Sequence, residues 1–383
     1  MQALYNYIKG DRVIWAVVIL LAIISVLVVY SSIVTLAYRF EGGNTEYYLF
    51  KHSIILMVGF ALIYIAHKLN YKYYSRISQI AVILAIPLLL LTLLTGTSIN
   101  EASRWLVIPV VNQTFQTSDL AKLALIMFLA RMLSKRQDNI KDFNQAFIPI
   151  MIPVLIICGL ILPANFSTAA MLFVTCLVLM FIGRINFAYI ISLITIGLVS
   201  LGIFLAVIMN SENTGRVGTW KNRIENFMDG GNQENYQVLQ SKIAIASGGT
   251  LGKGPGGSTQ RNFLPHPYSD FIYAIVIEEY GIIGGFVILL LYLILLYRGV
   301  VISRKAPRTF GSLLAIGLSF SLVFQAMINM AVAVNLFPVT GQPLPMVSMG
   351  GTSIWFSCLA IGIILSVSRE ADAGEITEEV ENA

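Results

Sequence analysis

Ten stretches of about 20 apolar residues recur along the chain, separated by shorter polar intervals. They fall at 13–36, 50–68, 78–95, 118–133, 145–162, 167–183, 187–209, 271–297, 310–335 and 353–368. A run of roughly 20 apolar residues matches a helix that crosses the hydrocarbon core of a bilayer. A helix also satisfies its own backbone where water is absent. The pattern predicts an all-α polytopic membrane protein of about ten transmembrane helices. The first stretch, Val13 to Tyr30, follows Lys9 and Arg12. It is too long for the core of a signal peptide and lacks a small-x-small cleavage site, so it reads as a retained first span.

The longest polar interval, 210–270, lies between the seventh and eighth stretches and is too long for a connector. Trp220 to Phe227, and Tyr236 to Ala246 with Tyr236, Leu239 and Ile243 on one helical face, predict short helices at the membrane surface. A glycine-rich run from Gly248 to Gly257 follows. No soluble domain or linker interrupts the pattern. Residues 1–383 read as one membrane domain with 210–270 as a loop within it, and the acidic tail 370–383 is expected to be a disordered cytoplasmic tail.

Composition sharpens the picture. Hydrophobic residues make up 57% of the chain and charged residues only 12%, and the net charge is +5. Fifteen of the 25 Lys and Arg residues fall on the side that holds both termini, in short intervals that include Lys72, Arg76, Arg136 and Arg308. By the positive-inside rule both termini are cytoplasmic, and the intervals 96–117, 210–270 and 336–352 face outward. This basic balance points to topology and anionic lipid headgroups, not to nucleic acid, since no Lys/Arg run is interleaved with aromatics. Cys158, Cys176 and Cys358 all lie inside apolar stretches and read as small core residues.

Candidate chemistry collects at the outward ends of the spans. Asp270 stands where the long loop meets the eighth stretch, in the string Phe263 to Ala274. A carboxylate at that boundary is costly to desolvate and marks a site; its bland alternative is a helix cap beside Ser269. Three further clusters are Glu101 to Leu106, with Arg104 and Trp105; Phe115 to Lys122, with Gln116, Asp119 and Lys122; and Pro338 to Ser353, with Ser348, Thr352 and Ser353. Their bland readings are an interfacial anchor for Arg104 and Trp105, an intrahelical ion pair for Asp119 and Lys122, and a re-entrant turn for the last. Gly249 to Gly254 is not a phosphate loop, because Gly252-Lys253 is followed by Gly254 rather than Ser or Thr and no strand precedes it. HExxH, CxxC and GxSxG motifs are absent. Arg and Lys bind phosphate oxygens, and a lone Asp nearby accepts a hydroxyl proton. The inventory fits an anionic amphiphile as substrate.

Together these clusters resemble the SEDS family of cell-wall polymerases, the FtsW/RodA/SpoVE family, over nearly the whole chain. Ser103-Arg104-Trp105 resembles the family's Ser-Arg-Trp segment. Phe115 to Lys122 resembles its Phe-Gln-Pro-Ser-Glu-x-x-Lys, with Thr117 for Pro and Asp119 for Glu. Leu162 to Ala169 is similar to a Gln-Pro-Asp-Leu-Gly-Thr segment with Asn165 in place of the Asp. Tyr236-Gln237, Gln240-Ser241 and Gly248-Gly249 fit the family's loop pattern, and Leu264 to Ile272 fits the segment that carries its catalytic Asp. Leu344 to Ser353 resembles Leu-Pro-Phe-x-Ser-Tyr-Gly-Gly-Ser-Ser, with Met349 for Tyr. The start, Asp11 to Ser32, looks more like the division-type members than the elongation-type ones.

The resemblance implies a glycosyltransferase that polymerises lipid II, the undecaprenyl-pyrophosphate-linked disaccharide-peptide, in septal wall synthesis at the bacterial inner membrane. It implies Asp270 as general base and Arg104 and Lys122 as ligands of the pyrophosphate. Trp105, Gln116, Asp119, Ser348, Thr352 and Ser353 would complete the substrate site. A magnesium or manganese ion at the pyrophosphate is compatible with this chemistry, though no ligand cluster argues for it. The implied partners are a class B penicillin-binding protein and other divisome proteins. Two rivals are a lipid II flippase, which Glu278 and Glu279 inside the eighth stretch would suit, and a scaffold that recruits a transpeptidase. An elongation-type polymerase is the alternative within the family.

Overall fold

The computed structural model describes residues 9–34, 36, 38, 43–95, 97–99, 102–108, 113–209, 218, 221, 236–265 and 267–381. All ten apolar stretches are helical. In chain order the described helices are α1 (Arg12–Ser32), α2 (Thr45–Lys68), α3 (Tyr71–Thr95), α4 (Thr117–Lys135), α5 (Ile148–Ile161) and α6 (Phe166–Ile182). They continue with α7 (Phe187–Met209), α8 (Tyr236–Gly248), α9 (Ile272–Lys305), α10 (Thr309–Ala333) and α11 (Gly351–Glu381). Eight segments are long and apolar enough to cross a bilayer: α1, α2, α3, Phe143–Ile161, α7, α9, α10 and the first part of α11 to Asp372. The protein is a polytopic α-helical membrane protein. α4 falls short of that measure because it carries Asp119, Lys122, Arg131 and Lys135, and α6 because it has only 17 residues.

Short polar side chains start several helices. The Asp11 carboxylate accepts from the amides of Val13 and Ile14 at 2.9 and 3.1 Å, and Asn44 accepts from Tyr47 at 3.0 Å. These bonds satisfy first-turn N–H groups that have no partner within the helix. α7 lies at the other extreme: only Ile190 and Ile208 are buried. So large an apolar surface left uncovered by protein suits contact with lipid.

The chain divides into two compact units, each built from separated stretches: residues 1–69, 226–301 and 322–383, and residues 70–225 and 302–321. Composition showed no such boundary. In the first unit α2 packs along α11, where the Trp355 indole donates to the Ile55 carbonyl at 3.1 Å and Arg369 donates to the His67 carbonyl at 2.8 Å. Arg298 of α9 donates to Asp11 at 2.6 Å, so the residue that caps α1 also ties it to α9. In the second unit α3 and α4 form the main pair, joined by Arg131 donating to the Ser75 carbonyl at 2.9 Å.

The structure departs from expectation in two places. A small antiparallel sheet of β1 (Thr97–Ile99), β2 (Ala102–Ile108) and β3 (Gln113–Gln116) fills the interval after α3, in the order β1-β2-β3. Its Thr, Ile, Val, Trp and Phe side chains favour a pleated surface, a signal too short to register beside 20-residue runs. The tail expected to be disordered is instead helical to Glu381 as a continuation of α11. An existing helix adds residues without a new nucleus, and the Ala and Glu of this tail are good helix formers. The helix expected over Tyr236 to Ala246 is present as α8. The one expected over Trp220 to Phe227 lies outside the described residues, apart from Lys221.

Candidate active site

Asp270 sits in the turn that leads into α9 and is half-buried. Its Oδ1 accepts from the Ser269 hydroxyl at 2.9 Å. Among the described residues no first-turn amide of α9 donates to it, so the carboxylate does not act as the helix cap that its position allowed. Its Oδ2 lies beside Gly341, where a Cβ would stand 3.6 Å away. Gly341 has φ +66°, a conformation that favours glycine.

The segment 341–350 has no regular secondary structure. Irregular backbone in a membrane protein must find its hydrogen bonds within the protein. Pro343 and Pro345 remove two N–H groups from that demand. The carbonyls are met by side chains from three helices. Asn329 donates to Gln342 at 2.7 Å and Gln325 to Pro343 at 3.0 Å, both from α10. Tyr292 of α9 donates to Pro345, and Ser25 of α1 donates to Val347 at 2.8 Å.

Two ties then hold this segment against the Asp270 turn: the Ser348 hydroxyl donates to the Ser269 carbonyl at 2.6 Å, and the Met349 amide donates to the Tyr268 carbonyl at 2.8 Å. Ser348 also accepts from the Leu344 amide at 2.8 Å, so its hydroxyl is committed to main chain. Ser348, Thr352 and Ser353, expected to contact substrate, are 1%, 1% and 8% exposed. Ser348 braces the turn through Ser269, and Thr352 and Ser353 lie in the first turn of α11. Gln325, Asn329, Tyr292 and Ser25 escaped the sequence reading. Gln325 and Asn329, four residues apart in an apolar helix, were the available signal.

A second feature of the same unit explains the glycine-rich run and the paired glutamates. α9 is interrupted at Gly281, with φ 69° and ψ −175°. The segment 249–254 docks in the break. The amides of Lys253 and Gly254 donate to the carbonyls of Glu278 and Glu279, each at 2.9 Å, and the Ile282 amide donates to Gly249 at 3.0 Å. A Cβ on Gly281 would collide with the Thr250 carbonyl. Gly252 and Gly281 therefore serve close backbone approach, while Gly249, Gly254 and Gly256 face open space and supply positive φ. Glu278, fully buried, accepts from Lys253 Nζ at 2.5 Å, from Thr259 Oγ1 at 2.9 Å and from the Thr259 and Gln260 amides at 3.1 and 3.2 Å. Ser258 also donates to it. Glu279 accepts from Ser31, which in turn receives Arg261 at 3.0 Å. The Glu278 carboxylate is thus taken up by the protein's own loop, while Glu279 is held by Ser31 of α1 and its second oxygen is buried with no partner among the described residues.

The remaining expected site residues belong to the other unit. Arg104 and Trp105 are neighbours in β2, and Trp105 pairs with Gln116 across the ladder. Gln116 donates to the Ser118 hydroxyl at 2.9 Å. Lys122 pairs with Asp119 at 2.7 Å along α4. Asp119 is 4% exposed, and its second oxygen has no partner among the described residues. Close by, Thr92, Thr117, Ser118 and Asn165 line a small, partly open cleft whose walls include Leu89, Leu160 and Ile161. Asn165 caps α6 through the Thr168 amide at 3.3 Å. The cap survives the exchange of a family Asp for Asn, and the charge does not. Among the described residues no three acidic, His or Cys side chains converge as a metal-ligand set.

Comparison with known proteins agrees with this architecture. Stage V sporulation protein E of Bacillus subtilis is 34% identical over 371 residues, covering 94% of this chain and 97% of the relative. A protein named probable peptidoglycan glycosyltransferase FtsW of Geobacter sulfurreducens is 32% identical, with coverage of 94% and 95%. A chain solved in work on a peptidoglycan synthase complex superposes with a TM-score of 0.73 at 26% identity, covering 94% of this chain and 98% of that one. The crystal structure of the rod shape determining protein RodA of Thermus thermophilus, 23% identical with a TM-score of 0.69, shares the fold. The family described as "Cell cycle protein", which unites FtsW, RodA and SpoVE, matches residues 11–373, and the chain belongs to it.

Proposed function

We propose that the protein is a peptidoglycan glycosyltransferase that polymerises lipid II during cell division, with Asp270 as general base. The observation that carries this reading is the half-buried Asp270 carboxylate, braced by Ser269 and by the 341–350 segment yet not engaged as a helix cap. Relatives named probable peptidoglycan glycosyltransferase, at 30–32% identity over most of the chain, support it. The 4-hydroxyl of one lipid II attacks the anomeric carbon of the lipid-linked chain. Asp270 takes the hydroxyl proton, the new C–O bond forms, the bond to pyrophosphate breaks, and the α-linkage inverts to β. Pyrophosphate leaves as a stable anion, so one base suffices where a glycosidase needs a second carboxyl group as acid. Arg104 and Lys122 hold the pyrophosphate and offset its developing charge. Lys122 pairs with Asp119 along α4, and an ammonium is a donor-only cation suited to phosphate oxygens. Trp105, Gln116 and Asp119 are the further substrate contacts in this reading, with Thr352 and Ser353, while Ser348 braces the Asp270 turn.

The flippase alternative loses its main support in Glu278 and Glu279, which are buried and bound by residues 253–260 and Ser31. The deciding experiment is incubation of the purified protein with lipid II in detergent. Glycan polymer is expected, and a class B penicillin-binding protein is expected to raise the rate. The relative from a peptidoglycan synthase complex supports such a partner. Lipid II transport by vesicles without any polymer would overturn the reading. An unchanged rate with complex formation confirmed would remove the partner's activating role.

The reading also requires the Asp270 end of the molecule to face outward and both termini to be cytoplasmic, in the bacterial inner membrane. The Lys/Arg asymmetry supports this. A cysteine placed at Asn232 is expected to react with an impermeant thiol reagent in intact cells, and one placed at Asn139 is not. The opposite labelling would put Asp270 on the wrong side for external chain growth.

A further inference from the structure

We infer that Asn329 is a positioning residue for the reaction, acting through Asp270; the inference rests on the reading of Asp270 as general base. Asn329 is 1% exposed in α10. Its Nδ2 donates to the main-chain carbonyl of Asp270 at 2.9 Å and to that of Gln342 at 2.7 Å. Both hydrogens of one amide group therefore bridge two strands of irregular chain. One strand carries the candidate base and the other carries Gly341, whose missing side chain leaves the space beside Asp270 Oδ2.

Among the described hydrogen bonds, no other side chain is seen to do the same. Ser348 and Met349 tie the loop to Ser269 and Tyr268, one and two residues before the base. Gln325 holds the loop at Pro343. Asn329 alone, among the described hydrogen bonds, contacts both the residue that bears the base and the segment opposite it. Because no first-turn amide holds the carboxylate, its location depends on its own main chain and on Ser269. The amide also carries a burden. Its Oδ1 is buried and has no partner among the described residues. An unmet buried acceptor opposes folding, so a residue chosen for packing alone would be better filled by Leu. Asn is retained for its two donors.

The test is a double-mutant cycle on lipid II polymerisation. Asn329→Leu keeps the approximate volume and removes both donors. It is expected to lower kcat by roughly 10–100-fold and to leave KM within about twofold, since the geometry of proton removal is lost and substrate binding is not. In an Asp270→Asn background the same change is expected to have no further effect on the residual rate, because groups that act through one another are not additive. A role confined to stability would instead lower activity in both backgrounds alike, with a matching loss of folded protein. If Asn329→Leu does not yield folded protein, Asn329→Asp, which keeps shape and polarity but replaces both donors with acceptors, carries the same cycle. Additive losses, or a KM that rises in step with the fall in kcat, would overturn the inference. Near-normal activity of Asp270→Asn would instead remove the base itself. An inactive Asp270→Asn with a fully active Asn329→Leu would remove only the positioning role.

Discussion

Replacing Asp270 with Asn is expected to reduce turnover of lipid II by roughly 10²–10⁴, the usual contribution of a positioned general base. The substitution keeps size and an acceptor for Ser269, and it removes the negative charge together with the capacity to accept a proton. Folding should be unaffected, because the carboxylate does not cap α9 and its known side-chain partner is one hydroxyl. Binding of lipid II should change little, since an anion beside a pyrophosphate does not help to hold it. Changes to Arg104 or Lys122 should differ, weakening both binding and rate, because a cation acts on pyrophosphate before and during reaction. Polymerisation by folded Asp270→Asn at near the parent rate would leave the residue with a structural place only. Equilibrium binding of lipid II measured beside the rate separates chemistry from affinity.

The Lys253→Met substitution is expected to lower stability by about 2 kcal/mol, the scale of a hydrogen bond to a charged group. Breaking a fully buried pair costs about 3–5 kcal/mol because the other charge stays behind, but here only Glu278 is buried and Lys253 reaches solvent. Ser258, Thr259 and two amides also still serve Glu278 after the change. The pair itself is not claimed as a source of stability. Combining Lys253→Met with Glu278→Gln, which removes the stranded charge, should recover much of the loss. Chemical denaturation in detergent reads both effects, with the exposed Lys242→Met as control. A Lys253→Met midpoint indistinguishable from the parent would show that Glu278 is satisfied without the ammonium.

The ten helices were legible because lipid permits few alternatives for a spanning backbone, and apolar runs report that directly. Their ends were not. α2 begins at Thr45 rather than near residue 50, and α3 at Tyr71 rather than near 78. Hydropathy falls where Tyr, Lys and Arg enter an interfacial turn, while the helical hydrogen bonds continue. Asp270 and the 341–353 cluster stood out as polar residues at span ends. What surrounds them did not. The carbonyls held by Asn329, Gln325 and Ser25 belong to backbone, which carries no letter in the sequence. The partners of Glu278 and Glu279 come from a loop about 20 residues earlier and from Ser31, 248 positions away from Glu279. Such pairings depend on chain return, not on local pattern. The same reason hid Ser348's role, since a serine in a Gly-Ser-Thr run reads equally as ligand or as strut.

The interruption at Gly281 also bears on the order in which the protein is assembled. α9 has 34 residues, roughly 51 Å at 1.5 Å per residue, well beyond a bilayer core of about 30 Å. The stretch after the break, from Ile282 to Lys305, is by itself long enough to span. An ionised carboxylate at the centre of an inserting helix costs about 2.5–3.5 kcal/mol. Insertion of 282–305 avoids that cost, leaving Glu278 and Glu279 on the near side until residues 249–261 fold back to receive them. On this energetic ground the nine residues that follow Phe271 are expected to settle against their own preceding loop after 282–305 has inserted. Completion of the turn bearing Asp270 is then expected to wait on closure of the long loop.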